Sequence, residues 1–175
     1  GIFTAGVLDV FAEQGEPAFD YIVGVSAGAC CAASYLAGQR NRNYTVFLEY
    51  LTDRRFMCLP RHLLGGSAVD MAYLLGPVSG HSYALDVSTM LKNAPRFEAV
   101  GTDAATGSPG YLPVEAPDAL DALHATSAIP IVYRGAPVKF RGRRYFDGAA
   151  SDPVPWRRAL DLGADDVTVI VTRPR

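Results

Sequence analysis

The chain has 175 residues, with hydrophobic types at 49%, charged types at 19% and a formal net charge of −2 from 16 basic and 18 acidic side chains, so it carries enough apolar material for one buried core. No block of like charge offers a footprint for a nucleic-acid backbone, which excludes nucleic acid as a partner. The longest mostly apolar run, Ala27 to Ala37, has about half of the roughly 20 residues that a membrane-spanning helix needs.

Three cysteines, Cys30, Cys31 and Cys58, are an odd number with two adjacent, which argues against a disulfide framework and for reduced thiols in the cytoplasm. No Cys/His spacing suggests zinc. The chain opens on Gly1 without an initiator Met or a basic-then-apolar signal, and the expectation is that its beginning lies upstream.

In chain order, Phe3 to Gln14 places Val7, Leu8 and Phe11 at helical spacing and stops at Gly15. Tyr21 to Val25 is a short β-favouring run, apolar on both faces, and reads as a buried strand. The Ala-rich segment Ala27 to Leu36, ending at Gly38, reads as a tightly packed helix that follows this strand with almost no loop. Asn41 to Leu51 continues in helical register, and helices are predicted at Val69 to Leu75 and Val87 to Asn93.

Arg96 to Val100 and Tyr111 to Val114 read as strands joined by the turn region Asp103 to Gly107, followed by a helix over Asp118 to Thr126. Pro137 to Phe140 and Arg143 to Phe146 straddle Arg141-Gly142 as a hairpin. Pro155 to Leu162 is a helix stopped by Gly163, and Val167 to Val171 reads as another buried strand. Strands alternating with helices predict a single α/β domain layered around a largely parallel sheet.

The sharpest motif is Gly24-Val25-Ser26-Ala27-Gly28, a GxSxG at a strand-to-helix junction, where a nucleophile elbow must sit. Small residues at both glycine positions let strand and helix approach, and the following helix aims its first N–H groups at the site. The competing reading is that Ser26 simply N-caps that helix.

The hydroxyl needs a base. Of His62, His81 and His124, only His124 comes late enough to follow an acid such as Asp103 in the hydrolase order, but it falls within a helical pattern. Asp147, in Tyr145-Phe146-Asp147-Gly148-Ala149, ends an apolar strand, and by itself Asp-Gly is turn chemistry.

Taken together, the GxSxG around Ser26 and Asp147-Gly148-Ala149 resemble the patatin-like phospholipases, acyl hydrolases that use a serine-aspartate dyad without histidine. Supporting stretches are Gly1 to Leu8, Thr102 to Gly107, Ser127-Ala128-Ile129-Pro130 and Ser151-Asp152-Pro153-Val154-Pro155. The resemblance implies a three-layer fold with helices on both faces of a mostly parallel sheet, Ser26 as nucleophile and Asp147 as base. It implies an oxyanion hole at Gly1 and Ala27, Gly1 being the last glycine of a glycine-rich loop that follows a first strand, both upstream of residue 1. A lipid or acyl-ester substrate is implied, with transient contact at a membrane surface and neither metal nor organic cofactor.

Among the remaining features, Cys30 and Cys31 read as small core residues. Asp103 reads as either a site-supporting group or an Asx-turn. Arg141, Arg143 and Arg144 form a hairpin edge that anionic head groups could touch. The glycines of Gly1 to Gly6 lack the Lys-Ser/Thr of a nucleotide loop, with Val7-Leu8 in its place. Two rivals stay open: an Asp103-His124 triad esterase, and a silent binding module that keeps the elbow.

Overall fold

The β-favouring runs become strands because they pair around one central strand. The computed structural model describes residues 1–15, 19–51, 53–58, 60, 63–69, 84–130, 133 and 136–172, apart from the Tyr50 side chain. Helix α1 covers Ile2–Gln14 and ends at Gly15, whose φ of 69° is the left-handed conformation that stops helices. Strand β1 (Tyr21–Val25) runs directly into α2 (Ala27–Leu36). Helix α3 (Arg42–Thr45) continues as a π-helical turn over Val46–Tyr50, a departure from the regular helix the register predicts. In this turn Phe47 packs with Ala5 and Leu8 of α1, and its ring lies where a Cβ on Gly1 would come within 2.6 Å.

Helix α4 (Val87–Asn93) is capped by Asp86, whose side chain accepts from the Thr89 N–H. Strands β2 (Arg96–Asp103) and β3 (Pro109–Pro113) form the expected hairpin, followed by α5 (Ala119–Thr126). Strands β4 (Val138–Phe140) and β5 (Arg143–Asp147) flank a two-residue turn in which Arg141 and Gly142 both have positive φ, at 44° and 83°. A 3-10 turn (Gly148–Ala150) and α6 (Trp156–Asp161) follow.

The sheet runs β1-β2-β5-β4 with β3 also paired to β2. It is the mixed α/β architecture that the alternation predicts, with helices on both faces, but parallel pairing is confined among the described residues to β1–β2. The other ladders are antiparallel; for β2–β3 and β4–β5 the short connecting turns permit only hairpins, and β5 also runs antiparallel to β2. Phe97 and Ala99 face the main core, built with Ala29, Ala33 and Leu36 of α2, Met90 of α4 and Ala122 and Leu123 of α5. On the reverse face of β2, Glu98 meets Arg158 of α6.

One predicted element comes out differently, and another lies almost wholly outside the described residues. Val69 sits in an isolated bridge with Met57, and the rest of the helix predicted over Val69 to Leu75 lies outside the described residues. Val167 to Val171 is not a strand: Val167, Val169 and Val171 are 36%, 45% and 49% exposed, and only Ile170 packs inward, against the cluster of Ala5, Leu8 and Cys31. Its β-branched residues need a neighbouring strand to express their preference, and among the described residues none pairs with it.

Candidate active site

The register of β2 brings together two residues that are far apart in sequence. On one edge, β3 pairs with Glu98 to Thr102. On the other edge, β1 pairs with Arg96 to Val100 and β5 with Gly101 to Asp103, so these two strands meet end to end. Val25 lies opposite Val100, and Asp147 lies opposite Gly101. The ladder position that Ser26 would occupy next is therefore held by Asp147, and the chain must turn out of the sheet at Ser26.

That turn is sharp. Ser26 has φ 52° and ψ −128°, a region costly for any residue with a Cβ and typical of positions the surroundings over-determine. Ser26 occupies the N-cap position of α2, but its side chain makes no cap hydrogen bond, which sets aside the capping role. Among the described residues Ser26 Oγ makes no hydrogen bond, and the residue is half-buried. Its carbonyl accepts from the N–H groups of Ala29 and Cys30. The N–H groups of Ala27 and Gly28 have no acceptor within the helix and lie at the positive end of its dipole.

The two motif glycines differ in role. A Cβ on Gly24 would lie 2.5 Å from Ala29 Cα, so this glycine is what lets α2 fold back onto β1. A Cβ on Gly28 would meet nothing within 4 Å, so strand–helix approach does not require a glycine there, contrary to the expectation for both positions.

Asp147 is 6% exposed and held on three sides. Its N–H donates to Ala128 O at 3.0 Å, its carbonyl accepts from Thr102 Oγ1 at 2.8 Å, and its Oδ1 accepts from Ala149 N–H at 2.9 Å. Among the described residues Asp147 Oδ2 has no hydrogen bond and no Lys or Arg forms an ion pair with the carboxylate. Gly148 is required here, because a Cβ would fall 2.2 Å from Val100 O.

The other candidates are occupied elsewhere. Asp103 Oδ1 accepts from the N–H groups of Ala105 and Thr106, with Arg143 at 3.3 Å from Oδ2; those bonds hold its carboxyl below the ordinary range and make it the Asx-turn. His124 is half-buried with Nε2 3.0 Å from Tyr133 Oη, and burial lowers its pKa. Asp103 and His124 are not hydrogen-bonded to each other, so the triad is not assembled. His62 and His81 lie outside the described residues.

Gly1 caps α1, and its carbonyl lies 3.8 Å from Cys31 Sγ, which sets the start of α1 beside α2. Cys31 is buried, and burial pushes its thiol up to about 12; the Cys30 thiol is also raised by burial and lies 3.7 Å from Ser127 Oγ, so neither is an activated nucleophile. All three cysteines are free. On the arginine edge, Arg141 pairs with Asp118 at 2.8 Å and Glu115 at 3.0 Å, and Arg143 faces Asp103.

The sequence matches the family model described as patatin-like phospholipase over residues 1–160, a span that includes both Ser26 and Asp147. The chain belongs to the patatin-like phospholipase family. It is also 33% identical over 176 residues to an Escherichia coli K12 protein described as the uncharacterized protein YjjU. That alignment covers 99% of this chain and 49% of the relative, so the chain spans about half the length of the curated relative it matches. In this patatin-like chain no described helix is long and apolar enough to cross a membrane.

One participant in the site is missed by sequence reasoning. Thr126 Oγ1 accepts from Ser26 N–H at 2.9 Å across 100 positions of chain, and the only local signal at Thr126 is the end of a helical pattern.

Proposed function

We propose that the protein containing this chain is a lipid acyl hydrolase that cleaves carboxylic esters with Ser26 as nucleophile and Asp147 as base. The observation that carries the reading is the β2 register, which sets the strained Ser26 turn beside the buried Asp147 across one Val100–Gly101 step.

A base toward the serine hydroxyl needs an oxygen that no other donor already occupies. Asp147 is buried and keeps Oδ2 available for the proton of Ser26. Ser26 Oγ attacks the ester carbonyl as Asp147 takes its proton. The N–H groups of Ala27, which opens α2, and of Gly1 stabilise the resulting oxyanion. Asp147 then returns the proton to the departing alcohol, leaving an acyl group on Ser26. Water, deprotonated by the same carboxylate, attacks this acyl-enzyme and releases the carboxylic acid, restoring Ser26 and Asp147.

The test is hydrolysis of a chromogenic short-chain ester and of a phospholipid by the full-length protein, compared with Ser26→Ala. The expected result is turnover in the wild type that falls by about three orders of magnitude or more in the variant. Equal turnover in both proteins would refute the assignment.

A further inference from the structure

We infer that Thr126 is a positioning residue that holds Ser26 in its strained turn and in register with Asp147; the inference rests on the dyad proposed above. Thr126 is fully buried at the last turn of α5, and its single hydroxyl is used twice. Oγ1 accepts from Ser26 N–H at 2.9 Å and donates to the Val100 carbonyl. That carbonyl belongs to the β2 residue where β1 ends, and Gly148 packs directly over it. Two residues further on, Ala128 O accepts the N–H of Asp147 at 3.0 Å. The three-residue segment Thr126 to Ala128 therefore holds the backbone of both dyad members, one through a side chain and one through a carbonyl.

Ser26 at φ 52° would relax to an ordinary conformation unless its surroundings opposed it. Its N–H is the group that such relaxation would move, and Thr126 Oγ1 is its acceptor. Valine has nearly the shape of threonine but no hydroxyl, so Thr126→Val would take the acceptor from the part-buried Ser26 N–H and one donor from the Val100 carbonyl while filling the same space. Ser26 Oγ would then lose its fixed place relative to Asp147, and displacement on the scale of an ångström costs rate rather than binding.

The experiment uses full-length wild type, Thr126→Val and Thr126→Ser, with kcat and KM on a short-chain chromogenic ester and the rate of fluorophosphonate labelling of Ser26. The expected result for Thr126→Val is a fall of about 100-fold in kcat and a parallel fall in labelling rate, with KM changed by less than about 3-fold. Thr126→Ser, which keeps the oxygen, is expected to recover kcat to within about 5-fold of wild type. A role limited to packing would lower the melting temperature and leave kcat per folded molecule unchanged. Wild-type kcat and labelling in Thr126→Val, or a serine variant as impaired as the valine variant, would overturn the inference. If Thr126→Val does not fold, Thr126→Cys carries the same comparison, its thiol being a weak acceptor. A wild type that neither hydrolyses esters nor labels at Ser26 would refute the dyad and the inference together, whereas an active wild type matched by Thr126→Val refutes the inference alone.

Discussion

Two buried carboxylates flank the same strand pairings and have opposite surroundings. Glu98 is 3% exposed and Asp147 is 6% exposed, so burial does not separate them. Glu98 is saturated: it accepts from Arg158 at 2.9 and 3.0 Å, from Arg96 at 2.7 Å and from the Tyr21 hydroxyl at 2.8 Å. Burial alone would raise its pKa, but the bonds from Arg158, Arg96 and Tyr21 outweigh that and hold it below the ordinary range. Asp147 accepts one backbone hydrogen bond and, among the described residues, has no cation beside it. A carboxylate enclosed by donors fastens α6 and β1 to the sheet, whereas the Asp147 carboxylate keeps one oxygen without a hydrogen bond among the described residues. How the lone pairs are occupied distinguishes a structural acid from a candidate base.

The contrast is most open to attack at Asp147. Asp147→Asn preserves the acceptor for Ala149 N–H and removes the basic oxygen, so turnover on a short-chain ester should fall by about three orders of magnitude while circular dichroism stays unchanged. Gly148→Ala, which drives a Cβ into Val100 O, should destabilise the protein by about 3 kcal/mol in urea denaturation, because backbone supplies the obstruction and cannot rotate away. Glu98→Ala should lower stability by about 2 kcal/mol, since it leaves Arg158 without its carboxylate, yet keep kcat per folded molecule near wild type. Loss of turnover in Glu98→Ala out of proportion to stability would erase the distinction between the two acids.

Acid should probe the saturated side selectively. The carboxyls of Glu98, Asp103 and Asp118 titrate lower in the folded protein than in the unfolded chain. Their stabilisation is therefore present above the unfolded-state values of about 4 and is lost as pH falls through the lower folded-state values. The urea midpoint should drop as pH falls below about 4, and Glu98→Gln should flatten that drop. The smallest effect is expected at His124, which is bonded to Tyr133: His124→Ala should leave kcat within about 3-fold of wild type.

Most of the layered fold is legible in the sequence because apolar runs such as Tyr21 to Val25 and helical spacings such as Val7, Leu8 and Phe11 are local patterns. Ser26 is legible for the same reason, its glycine, strand and helix all lying within a few residues. Asp147 is not legible on its own, since Asp-Gly marks any turn, and only its pairing with the distant GxSxG in the family resemblance singles it out. Thr126 and the saturation of Glu98 are invisible, because Ser26 lies 100 positions from Thr126 and Arg158 and Tyr21 lie 60 and 77 positions from Glu98. The Val167 to Val171 run shows the converse failure, a strong strand pattern that takes no strand partner among the described residues.

The most direct test is covalent. Full-length wild type and Asp147→Asn are exposed to a fluorophosphonate, and the adduct is located by mass spectrometry and timed. The dyad predicts a single adduct on Ser26 that forms about 1000-fold more slowly without the Asp147 carboxylate. An adduct on another residue, or equal rates in the two proteins, would contradict it.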